Sequence, residues 1–131
     1  MTTEGALLDT SVVLLALTRP AALSARVRKA ILKGPNVLSV VVYWEVVLKV
    51  IKGTLIVGHP HAWWLDALDM LGATSLSVGP KHIEHVLGLP ALHRDPFDRM
   101  LIAQASAEGL TLVTKDREIL KYRTKRIRLI L

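Results

Sequence analysis

Ala6-Leu7-Leu8-Asp9-Thr10-Ser11-Val12-Val13-Leu14-Leu15-Ala16-Leu17 reads as a buried strand, an acid and a helix in direct succession. The apolar run Ala6 to Leu8 stops at Asp9, and Thr10-Ser11 turns the chain into the helical pattern from Val12 to Leu17. Outward from this unit the alternation repeats. A second helix is framed by Ser24 as N-cap and Gly34 as stop, with Arg26, Lys29 and Lys33 on its polar face. The β-branched run Val37 to Val42 predicts a buried strand, followed by a helix from Tyr43 to Lys52 that carries Glu45 and closes at Gly53. Pro60 to Leu71 predicts a helix, Ala73 to Val78 a short strand, and Pro80 to Leu87 a further helix. Asp95-Pro96 opens the clearest helix, which runs to Glu108 and is stopped by Gly109. Leu110 to Thr114 is strand-like, Asp116 precedes a short helix from Arg117 to Lys121, and Ile127 to Leu131 predicts a closing strand. This order predicts an α/β three-layer sandwich: a mainly parallel central sheet with helices on both faces and right-handed crossovers.

The chain of 131 residues suits one domain spanning 1–131, and its 51% apolar composition predicts a substantial core. No apolar run approaches the roughly 18 residues of a spanning helix, so neither a membrane span nor a signal peptide is expected. The absence of Cys excludes disulfides, thiol catalysis and thiolate metal sites, and suits a reducing cytoplasm. Any metal must therefore bind oxygen or imidazole. The net charge is +6, and seven of the seventeen Lys and Arg residues lie between Lys115 and Arg128, which suggests a polyanionic ligand.

In open α/β sheets functional groups gather at the carboxyl ends of the strands. Asp9 ends the first strand, Asp116 follows the fourth, Glu45 lies on the helix after the second, and Asp98 sits in the first turn of a helix entered from a loop. Four carboxylates in one pocket repel one another unless a cation neutralises them, and oxygen-only ligation favours Mg²⁺ or Mn²⁺. Each acid also has a local explanation. Asp95 is an ordinary N-cap before Pro96, and Asp98 answers the helix dipole. Glu45 is placed to pair with Lys49 at i+4, while Asp9 and Asp116 are each placed to cap the helix that follows. Only their joint placement points to a site.

Four strings carry a family resemblance: Leu7-Leu8-Asp9-Thr10-Ser11; Trp44-Glu45 with Lys49 and Gly53-Thr54-Leu55; His93-Arg94-Asp95-Pro96-Phe97-Asp98-Arg99-Met100-Leu101-Ile102-Ala103-Gln104-Ala105; and Leu112-Val113-Thr114-Lys115-Asp116-Arg117-Glu118. Together they resemble PIN-domain nucleases, in particular the VapC-type toxins of toxin–antitoxin pairs, over essentially the whole chain. The resemblance implies a Mg²⁺-dependent endoribonuclease, homodimerisation, and inhibition by a small cognate antitoxin. It implies that Asp9 and Asp98 are the principal metal-binding acids, that Glu45 and Asp116 are the other two, and that Asp95 is auxiliary. Related members often carry His where this chain has Ser11, which makes Ser11 an auxiliary contact to substrate. Thr114 matches a hydroxyl that orders Asp116 or a bound water. Lys115 and Arg117, with Arg94 or Arg99, are the candidate contacts to the RNA backbone, and a solvated basic face is their bland alternative.

The remaining residues offer less. His59 and His61, and His82 and His85, lack a third ligand at sensible spacing and read as surface or loop histidines. Trp44, Trp63 and Trp64 read as core or interface residues, and the adjacent Trp63-Trp64 pair cannot both face one core from a helix. Two rivals stand beside the nuclease. A receiver-like Mg²⁺-binding signalling module pairs two adjacent acids after its first strand, whereas Asp9 stands alone. A non-catalytic PIN-like domain would bind RNA or a partner without cutting it, against which the intact set of four acids weighs.

Overall fold

The structure, a computed structural model, describes residues 5–90, 95–122 and 127–131. Its five strands are β1 (Ala6–Leu8), β2 (Asn36–Ser39), β3 (Ala73–Leu76), β4 (Thr111–Val113) and β5 (Arg128–Ile130). They form one all-parallel sheet in the order β3-β2-β1-β4-β5. The helices are α1 (Thr10–Thr18), α2 (Ala25–Lys33), α3 (Val40–Ile51), α4 (Pro60–Met70), α5 (Pro80–Leu87) and α6 (Pro96–Glu108), with 3₁₀ turns at Pro20–Ala22 and Arg117–Tyr122. Among the described residues no helix is long and apolar enough to cross a membrane.

Adjacent residues of a strand point to opposite faces of the sheet, so a strand buried throughout must be covered on both. Leu7 and Leu8 of β1, and Leu112 and Val113 of β4, are all fully buried, as the expected sandwich requires. Edge strand β3 is the contrast, with Thr74 and Ser75 exposed. The core continues into Val12, Val13, Leu38, Val42, Leu101 and Ile102.

The second strand is shorter than its β-branched run predicts. It ends at Ser39, whose side chain accepts from the Val41 N–H at 3.1 Å and starts α3 at Val40. Val42 and Val46, one turn apart, are both fully buried. Burial at helical spacing and a serine cap override the weak strand preference of valine. The boundaries of α5 and α6 match the sequence pattern. Asp95 caps α6, and Gly109 closes it in the left-handed conformation at φ 68°.

His82 departs from the surface assignment. It is buried between α5 and α6, with Nε2 2.7 Å from Glu108 Oε2 and Nδ1 accepting the Gly79 N–H at 2.9 Å. Lys81 meets the same Glu108 oxygen at 2.7 Å, and these two partners hold the Glu108 carboxyl below its ordinary range. Of the tryptophan pair, Trp64 is buried and Trp63 packs only partly against the core.

Candidate functional site

Sequence order and sheet order part company at β1. The chain runs outward through β2 and β3, then returns across β1 to build β4 and β5. The crevice at the carboxyl ends of β1 and β4 is thus the topological switch point, where open α/β sheets open to ligands.

Asp9 leaves β1 into that crevice. Its N–H donates to the Val113 carbonyl at 3.0 Å, extending the pairing of Leu8 with Val113 and bringing Thr114 beside it. One carboxylate oxygen accepts the Val12 N–H at 2.9 Å and so caps α1; the other accepts the hydroxyl of fully buried Thr114. Burial pushes the Asp9 carboxyl from an ordinary 3.8 up to about 6. The bonds from Thr114 and Val12 act downward, and the charges of Asp98 and Glu45 act upward again. Both of those acids are therefore felt at Asp9.

Glu45 is fixed from two sides. Buried Thr10 donates from its hydroxyl to Oε1 at 2.7 Å, and Lys49 lies 3.1 Å from Oε2. Trp44, next to Glu45, meets Phe97 edge-on at 4.9 Å between ring centres, which ties α3 to the start of α6. Asp98 stands in that first turn, behind Asp95, whose Oδ1 accepts the N–H groups of Phe97 at 2.9 Å and Asp98 at 3.4 Å. Asp116 is joined to Asp9 through one hydroxyl: its N–H donates to Thr114 Oγ1 at 3.0 Å. Its own Oδ1 accepts the Glu118 N–H at 2.9 Å and caps the 3₁₀ turn.

Every local role considered for these acids is thus realised, and the tertiary fold adds a second one. Asp98 and Glu45 bear on Asp9 through space, and Asp116 reaches it through Thr114. Among the described residues, no three acidic or histidine side chains stand so as to grip a single ion in their present rotamers. In donor chemistry the set fits a hard divalent cation: its ligands are oxygens, and the mutual repulsion felt at Asp9 is what such an ion relieves.

The auxiliary positions fall around this centre. Ser11 is exposed and shares a cleft of about 440 Å³ with Leu14, Leu15, Lys115 and Asp116. Exposed Lys115 and Arg117 line a neighbouring cleft with Thr114 and Ser24. Arg99 is engaged inside the protein, donating to the Pro90 carbonyl at 2.8 Å and approaching the Tyr122 hydroxyl at 3.3 Å. Arg94 lies outside the described residues. Sequence reasoning passed over Thr10 as a functional residue; its one signal was a hydroxyl directly after the strand-ending acid.

Fold and site together define an α/β protein with an all-parallel sheet and acids gathered at its switch point. The chain belongs to the PIN domain family, whose model matches residues 6–125. Among proteins of curated function none matches the sequence. Solved structures do match in fold. A chain of VapBC2 from Rickettsia felis, solved bound to a DNA fragment from its promoter, is similar at 17% identity with a TM-score of 0.69, covering 95% of this chain and 96% of that one. A chain of DNA-bound VapBC from Salmonella typhimurium gives 18% identity and a TM-score of 0.69, with 98% of each chain covered. VapBC-5 from Mycobacterium tuberculosis, a member of the VapBC family of toxin-antitoxin systems, gives 18% identity and a TM-score of 0.64, again covering 98% of each.

Proposed function

We propose that this chain is a divalent-cation-dependent endoribonuclease, the toxin of a toxin–antitoxin pair, with residues 1–131 acting as one nuclease domain. The observation that carries the reading is geometric: at the switch point the buried Asp9 carboxylate shares the Thr114 hydroxyl with the Asp116 backbone, while Thr10, the next residue, holds Glu45. Membership of the PIN domain family and the likeness in fold to VapBC chains support it. The likeness to VapBC chains also supports a small antitoxin as partner, and a homodimer is proposed as the working form.

Asp9 and Asp98, with Glu45 and Asp116, would hold Mg²⁺ or Mn²⁺. Such an ion polarises a phosphodiester and lowers the pKa of a bound water when present. The remaining work belongs to the chain. Thr114 aims the Asp9 carboxylate and ties the Asp116 backbone to it, so both acids are oriented before any ligand arrives. Thr10 does the same for Glu45. Asp95 and Ser11 are auxiliary, the first by setting the turn that carries Asp98 and the second by facing a ligand in its cleft. Lys115 and Arg117 offer exposed cations to the RNA backbone, so binding weakens steeply with salt.

Incubation of the purified protein with mixed cellular RNA tests the reading. Wild type is expected to cut with Mg²⁺ or Mn²⁺ and to stop with chelator, whereas Asp9→Asn and Asp98→Asn leave the RNA intact. Identical products from wild type and both variants would sink it.

A further inference from the structure

Beside Glu45 the surface opens into a cleft of about 620 Å³ between the last turns of α3 and the start of α6. Its walls are apolar, made by Leu48, Ile51, Pro96 and Phe97, and its charged groups are Glu45, Lys49, Lys52 and Asp95. Both carboxylates already have partners within the protein. Asp95 caps α6, and Glu45 holds Thr10 on one oxygen and Lys49 on the other. Lys49 and Lys52 are three residues apart, neighbours on one face of the helix, and Lys52 is exposed. The trough is apolar, carries exposed Lys52 on one wall and is continuous with the acids through Glu45; with Lys49 released from Glu45 the same wall would hold two cations, which complements a strand of bases on an anionic backbone.

Lys49 holds two possible posts. While Glu45 has no other cation, the lysine is its partner at 3.1 Å. Were Glu45 and Asp9 to hold a divalent ion, the Lys49 ammonium would be repelled from Glu45, and its flexible stem would be free to lie along the cleft. We propose that this cleft seats the RNA strand flanking the scissile phosphate, with Lys52 on one backbone phosphate and Lys49 handed from Glu45 to the next when the divalent ion binds. The inference rests on the ribonuclease reading and deepens it, adding two contacts on the α3 side to those around Asp116.

The test is fluorescence anisotropy of a labelled single-stranded RNA oligonucleotide, with wild type, Lys49→Met and Lys52→Met, in chelator and in Ca²⁺. Methionine keeps the apolar stem and removes the charge. Lys52→Met is expected to weaken binding severalfold in both conditions and to lower the slope of log Kd against log salt by about one. Lys49→Met is expected to do so in Ca²⁺ only, because in chelator the lysine stays with Glu45. Glu45→Gln, which releases Lys49, is expected to tighten binding in chelator. Equal effects of Lys49→Met in both conditions, or none in either, overturn the handover. If the variants change the subunit number by light scattering and leave RNA affinity alone, the cleft is a protein interface and the proposal fails. Failure of the nuclease reading shows separately, as uncut RNA with wild type in Mn²⁺.

Discussion

Asp9 illustrates how one residue can serve the fold and strain it at once. Its oxygens cap α1 and hold Thr114, yet burial and two neighbouring acids oppose its charge. With its carboxyl moved from 3.8 to about 6, the fold prefers the neutral form, and keeping it ionised at neutral pH costs on the order of 3 kcal/mol. That stabilising preference is fully present below pH 3.8 and is lost as pH rises through about 6. Asp9→Asn retains an N-cap oxygen without the charge. It is expected to raise the stability of the ion-free protein by about 1–2 kcal/mol near pH 7.5 and to change it little near pH 4. Urea unfolding in chelator at the two pH values checks this. A large loss near pH 7.5 would show that the cap and the Thr114 bond outweigh the repulsion.

At the scale of elements, α3 and α6 carry Glu45 and Asp98, and both are positioned by their first turns. Ser39 is fully buried and caps α3 on Val41. Ser39→Ala should cost about 1 kcal/mol, read as a lower urea midpoint with an unchanged slope. Full stability in that variant would mean that the packing of Val41 and Val42 alone fixes where α3 starts. The far end of α6 is held differently. Its Glu108 carboxylate grips His82 and Lys81 of α5, locking the two helices together at the end away from Asp98. Local pattern made α5 and α6 legible to the residue, because proline, a capping acid and glycine punctuate them. It extended β2 too far, because valine fits a strand and a packed helix face equally well until packing decides.

For the whole molecule, the acids belong to four segments that meet only in the folded state, so a cation that binds them stabilises the entire fold. Mn²⁺ is expected to raise the thermal midpoint of wild type. The rise should be clearly larger at pH 7.5 than at pH 5.5, where a proton competes for Asp9. Asp9→Asn should respond little. Equal rises in wild type and variant, followed by differential scanning calorimetry, would place the ion elsewhere.

The sequence by itself determined the alternation of strands and helices, the parallel class of the sheet, the caps at Ser24 and Asp95, and the family. These properties follow from neighbours a few residues apart, where backbone spacing and side-chain chemistry act directly. Tertiary structure decided the rest. Strand order brought Thr114 onto Asp9 across 105 residues and Thr10 onto Glu45 across 35, and packing buried His82 against Glu108. Such contacts depend on which strands lie side by side, and the local spacing of residues carries little of that information. The acid that ends the opening stretch was visible as an acid from the start; that it feels Asp98 and Glu45, and how far burial shifts it, emerged only from the fold.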